Sequence, residues 1–170
     1  MTEVPVVQRH CARAILLDPS DRVLLFWLDP ERDPTGQGYW YLPGGGIGDG
    51  ETPEEAVARE LREEVGFEGV EIGPRLVHLT GVRFEFDGRV IQQDEWHLLV
   101  RTNGAVGRGN PDDDEASAVA AHRWWSVAEL AASAQRIFPD HLARTITAML
   151  QDGPPTVPVE IEIEPASDAR

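Results

Sequence analysis

Residues 45–67, GGIGDGETPEEAVARELREEVGF, pass from a glycine-rich loop straight into a segment crowded with glutamates. Few folds accommodate that combination. Thr52-Pro53-Glu54-Glu55 has the chemistry of a helix start: a hydroxyl to cap the first amides, a proline at the first helical position, and a glutamate three residues after the cap. Gly66 supplies a stop, because glycine enters the left-handed region without steric cost. At about 100° per residue, Glu60, Glu63 and Glu64 fall within an arc of about 100°. Val57, Ala58, Leu61 and Val65 fill the adjoining stripe, which must face a core. The helix therefore buries one face and aims three carboxylates along its margin.

Three carboxylates so close repel one another unless a cation compensates. Hard oxygen ligands are what Mg²⁺ selects, and Mg²⁺ accompanies phosphates. Arg59, four residues after Glu55 and four before Glu63, is placed to tether and orient one of the acids. An ordinary solvated acidic helix is the plain alternative, and it leaves the glycine loop without a purpose.

The stretch resembles the Nudix box: Gly, five residues, Glu, seven residues, Arg-Glu, an aliphatic, any residue, Glu-Glu, any residue, Gly and an apolar residue. Every fixed position matches, from Gly45 through Glu51, Arg59-Glu60, Glu63-Glu64 and Gly66 to Phe67. Flanking segments, Trp40-Tyr41-Leu42-Pro43-Gly44-Gly45 and Arg123-Trp124-Trp125-Ser126, also look like Nudix sequence and stretch the likeness over roughly residues 10–150. The resemblance implies an α/β/α sandwich with a mixed β-sheet, the box helix lying against the sheet. It further implies Mg²⁺ or Mn²⁺ held by Glu60, Glu63, Glu64 and the carbonyl of Gly45, with Glu51 supporting the loop. The implied activity is cleavage of a diphosphate bond by water attack on phosphorus, as in NDP-X giving NMP and P-X. For the general base the candidates are Glu60 first, then Glu115 and Glu95; Arg83, Trp40 and Glu95 are candidate substrate contacts. Rival readings are a nucleotide-sensing Nudix-like domain without catalysis, and an enzyme of a non-nucleotide, isoprenoid-type diphosphate.

Length and charge narrow the partners. A chain of 170 residues suits one domain, and it carries 30 acids against 15 bases, a net charge of −15. So acidic a surface repels polyanions, which disfavours nucleic-acid polymers and anionic membranes and favours a small diphosphate, nucleotide-containing by the aromatic residues beside the glycine loop. No apolar run reaches membrane-spanning length, and the N-terminus lacks a signal-peptide pattern. The single cysteine, Cys11, excludes an internal disulfide and fits a reducing, cytoplasmic setting.

Elsewhere the pattern predicts a hairpin from 12–17 and 23–28, a loop over 29–38, and a short strand at 39–42. Short extended pieces are expected at 70–72 and 76–79, around Gly73-Pro74. Asp87-Gly88 should turn a hairpin between 82–86 and 89–100. A final strand is expected at 123–126, then helices at 127–134 and 141–151. Residues 1–151 thus read as the Nudix domain and 152–170 as an acidic tail, either disordered or an edge strand added to the sheet or to a second copy in a homodimer.

Overall fold

The computed structural model describes residues 5–67, 70–103 and 121–164. Glu115 and the acidic loop around it lie outside the described residues. The elements run β1 (Val6–Leu17), β2 (Val23–Leu28), β3 (Tyr39–Tyr41), β4 (Gly44–Gly46), α1 (Pro53–Val65), β5 (Glu71–Phe86) and β6 (Arg89–Arg101). After the undescribed stretch come β7 (Ala121–Trp125), α2 (Val127–Ala132), β8 (Ile137–Phe138), α3 (Leu142–Asp152) and β9 (Val159–Glu162). The strands form one mixed sheet in the order β8-β3-β2-β1-β6-β5-β9, with β4 added to β1 and β7 to β2. β1 runs parallel to β6 and β5 to β9, while β2 and β4 pair antiparallel with their neighbours and β5 pairs antiparallel with β6. No described helix is long and apolar enough to cross a membrane.

Strand alternation explains why the sheet is covered on both faces. Along β1, Ala12, Ala14 and Leu16 turn towards Val57, Leu61 and Val65 of α1, while Ile15 and Leu17 turn towards Leu142, Ile146 and Met149 of α3. Trp124 and Trp125 split in the same way, one to each cluster. The result is the expected α/β/α sandwich.

The structure refines several expectations. The two extended pieces at 70–72 and 76–79 are parts of one 16-residue strand, β5, which absorbs its glycines as irregularities between Ile72 and Arg75 and between Leu79 and Val82. Strand 121–125 is not the final one, because β8 and β9 follow it. Residues 159–162 of the tail form an edge strand parallel to β5, Val77 pairing with Val159 and Thr80 with Glu162. At Asp87-Gly88 both residues have positive φ, 49° and 69°, as a tight two-residue hairpin requires.

The loop over 29–38 is organised by one buried acid. Asp33 accepts hydrogen bonds from the backbone N–H groups of Thr35, Gln37 and Gly38 at 3.0, 3.3 and 2.9 Å, and from Arg136 Nη1 at 2.9 Å. Burial opposes its ionisation, yet the bonds from Thr35, Gly38 and Gln37 outweigh burial and hold its pKa at about 2. The folded-state pKa is depressed, so this stabilisation is complete above about pH 4 and is lost as pH falls towards 2. Asp33→Ala should cost about 2–3 kcal/mol by stranding the buried Gly38 N–H, and Tm should drop by roughly 5–10 °C. Urea unfolding between pH 7 and pH 2.5 should show a shallower acid-side decline in the variant than in wild type.

Candidate active site

Helix α1 begins and ends as its sequence dictates. Thr52 caps it, its hydroxyl accepting from Glu55 N while the Glu55 carboxylate accepts from Thr52 N, and Gly66 closes it at φ 69°. With its ends fixed and Ala56, Val57, Leu61 and Val65 buried, the helix has one rotational setting against the sheet. That setting delivers Arg59, Glu60, Glu63 and Glu64 to the glycine strand β4.

Arg59 is the hub. Its Nε and Nη2 grip the two oxygens of Glu51 at 2.8 and 2.9 Å, Nη2 also donates to the Gly46 carbonyl at 2.9 Å, and Nη1 donates to Glu60 at 2.8 Å and Glu63 at 3.5 Å. Only a planar guanidinium reaches acceptors in so many directions. The Arg59 fork, helped by the Gly48 N–H, holds the Glu51 carboxyl at about 2. The expected tether to a single acid is therefore larger than its spacing suggested: it joins the loop to the helix. Glu55 takes no part, being committed to the cap.

Glu64 has a different environment. Its Oε2 accepts from Gly44 N at 3.1 Å, and burial, with the charge of Glu60 added, pushes its pKa up to about 8. The charge of Arg13 opposes this shift without cancelling it. The two glycines that back the carboxylates do so for different reasons. Gly44 has φ 134°, and a Cβ there would strike the Ala12 carbonyl oxygen of the adjacent strand. At Gly45 a Cβ would lie 2.5 Å from Glu60 Oε1, so the missing side chain leaves room for a carboxylate. Gly44→Ala should lower stability by about 3 kcal/mol or more, because backbone cannot retreat. Gly45→Ala should stay within about 1 kcal/mol of wild type, because Glu60 can swing aside; thermal unfolding of the two variants distinguishes these outcomes.

The remaining candidates are placed as follows. Glu95, on β6, is only 3% exposed. Its oxygens are taken by Gln93 Nε2 at 2.6 Å and His97 Nε2 at 2.9 Å, with Arg13 Nε at 3.6 Å. Burial would raise its pKa, but Arg13 and the bonds from His97 and Gln93 prevail and hold it at about 2. Enclosed and firmly ionised, it is poorly suited to be a base or a direct substrate contact. Trp40 belongs to the cluster on the α2/α3 side, packing on Trp125 and Trp27 at 5.3 Å each, with its Nε1 bonded to Gln135. It is not a platform facing the box. Arg83 is exposed near the hairpin end of β5, opposite Gln92, and β6 and β1 stand between it and β4.

Two residues at the site escaped the sequence reading. Arg13 donates to the Gly44 carbonyl at 2.8 Å and lies 5.9 Å from the ring centre of Tyr41. Both sit where the sheet opens: β1 meets β2 in register at Leu17 and Val23, then pairs with β4 at residues 11–13. The signal was there, a charged side chain inside the apolar run Cys11-Ala12-Arg13-Ala14-Ile15. Buried arginines in strands need partners, and here the partners are a carboxylate and a glycine carbonyl.

A family model described as the NUDIX domain matches residues 7–146. The chain belongs to the Nudix family. Among curated relatives of this Nudix protein, an RNA pyrophosphohydrolase of Shewanella woodyi is 44% identical over 59 residues, 35% of this chain and 34% of the relative. One of Teredinibacter turnerae is 35% identical over 115 residues, 59% of this chain and 64% of the relative. The chain thus spans between about a third and two thirds of these relatives' length. Two solved structures share the fold. A MutT protein from Methanosarcina mazei Go1 has TM-score 0.55 at 20% identity, covering 89% of this chain and 97% of that one. A mutT/nudix family protein from Listeria innocua has TM-score 0.57 at 19% identity, covering 84% and 94%.

Nudix hydrolases generally use divalent metal ions. Among the described residues no three His, Cys, Asp or Glu side chains converge as they stand into a metal-holding group. Glu60 and Glu63 face Arg59 and Glu64 faces Gly44, so the acids are gathered but held by protein partners. The donor set nonetheless fits a hard cation: all are oxygens, and a cation between Glu60 and the half-buried Glu64 would offset the burial and like charge that raise the Glu64 pKa.

Proposed function

We propose that this Nudix protein is a pyrophosphohydrolase that splits the diphosphate bond of a nucleoside di- or triphosphate derivative, giving NMP and P-X. The observation that carries the reading is the arrangement of the box acids: Arg59 joins Glu51, Glu60 and the Gly46 carbonyl while Glu64 rests on Gly44 N, so the acids gather against the glycine strand. In this reading Glu60, Glu63, Glu64 and the Gly45 carbonyl would hold Mg²⁺ or Mn²⁺. When bound, such an ion neutralises charge on the diphosphate and acidifies an attacking water.

The protein's own groups do the rest. Arg59 takes one oxygen of Glu60 and fixes its orientation, which leaves the other oxygen to receive a proton from water; Glu60 is the proposed base. Glu51 has no free role in proton transfer, since Arg59 and Gly48 hold it ionised, and its work is to anchor the loop. Residues 1–151 would make the catalytic unit, with 152–170 an accessory segment.

The net charge of −15 favours a small substrate over a polymer. The name of the curated relatives, RNA pyrophosphohydrolase, puts a 5′-triphosphorylated RNA end among the compounds to compare. Chromatography of the two phosphate-bearing products formed from nucleoside triphosphates, nucleotide sugars, dinucleoside polyphosphates, an isoprenoid diphosphate and such an RNA tests the reading. Turnover should need Mg²⁺ or Mn²⁺ and vanish in chelator; undiminished turnover in EDTA would contradict it. Glu60→Gln and Glu64→Gln keep shape while removing charge, and each should cut kcat by about 10²-fold or more without loss of the fold. Wild-type rates in both variants would move the chemistry elsewhere.

A further inference from the structure

Arg13 stands between two acids of different fate. On one side its Nε lies 3.6 Å from Glu95 Oε1; on the other its Nη1 donates to the Gly44 carbonyl at 2.8 Å, and the N–H of the same glycine donates to Glu64 at 3.1 Å. Arg13 is therefore one residue away from a direct ion pair with a box acid. An opposite charge so near favours the ionised carboxylate, so a direct pair is open to Arg13, and it would occupy a carboxylate the proposed chemistry needs. Glu95 competes for the guanidinium. It is buried, ionised and held in place by His97 and Gln93, and both lie in the same strand, β6, which pairs with β1 in parallel along its length. With Glu95 ionised, the proton on His97 Nε2 points at it, so the imidazole fixes the carboxylate as a donor.

We propose that Glu95 is a positioning residue, which holds Arg13 back from Glu64 and so keeps the Glu64 carboxylate free for a divalent cation. The inference rests on the hydrolase reading for its purpose, but its test does not require turnover. Its signature is a rescue: weakening Glu95 harms the metal site only while Arg13 is present.

Mn²⁺ binding to the full-length protein, followed by the loss of the free-ion EPR signal, reads this directly. Glu95→Gln should raise the Mn²⁺ half-saturation about tenfold, the scale of lost support around metal ligands. Arg13→Met alone should leave it unchanged or lower it, since a competing cation is gone. The double variant E95Q/R13M should return to within about threefold of wild type. Asp33→Ala serves as a control that loses stability through the 29–38 loop without removing a box acid or Arg13, and should not move Mn²⁺ binding. If E95Q does not fold, E95D, which draws the charge back by one methylene, takes its place against E95D/R13M. Unchanged Mn²⁺ binding in the Glu95 variant, or a double variant no better than the single, would overturn the inference. A wild-type protein that binds Mn²⁺ and shows the rescue yet cleaves nothing would instead remove the hydrolase reading and leave this one standing.

Discussion

The guanidinium of Arg59 ties a glycine loop to a helix, and the rest of the site depends on that tie. Loop residues Glu51 and Gly46 and helix residues Glu60 and Glu63 all meet it, so one side chain sets the distance between two backbone segments. Four acids and a cation in one place would be costly if the cation were mobile. Anchoring it bidentately on Glu51 lets the same group steady Glu60 without a further long side chain having to be ordered. The acids that crowd the helix margin are thus partly compensated before any metal arrives, which explains how the chain tolerates them.

A second constraint comes from β1, which is the wall shared by both layers. Its even residues support the box helix, and its odd residues support the opposite layer until Arg13, where the sheet opens and an arginine replaces the apolar pattern. Its neighbours matter on both sides. β4 brings the glycines to within backbone pairing of Ala12, and β6 brings Glu95 level with Cys11. Glycine is required at position 44 because two strands approach there with no space for a side chain, and this closeness is what lets Arg13 reach the loop carbonyl.

Much of this was legible from local chemistry. The cap at Thr52, the stop at Gly66, the turn at Asp87-Gly88 and the helix margin of Glu60, Glu63 and Glu64 all rest on contacts between residues close in sequence. What the sequence concealed were relations across strands. Gly73-Pro74 reads as a break, yet β5 runs through it, because β6 pairs with both sides of it, Ile72 with Val100 and Arg75 with Leu98. Trp40 reads as a candidate substrate contact beside the glycine loop, but the pleat sends it to the other face, against Trp125. Glu95 reads as an available acid, and only the register of β6 against β1 reveals that Arg13 and His97 already enclose it.

The central claim is that the gathered carboxylates direct water onto phosphorus. Running the reaction with Mg²⁺ in ¹⁸O-water and weighing the products tests it most directly. The account predicts one ¹⁸O on a phosphate product and none on the released sugar or alcohol. Label found only on the carbon fragment would mean C–O cleavage, and the roles given to Glu60, Glu63 and Glu64 would be wrong.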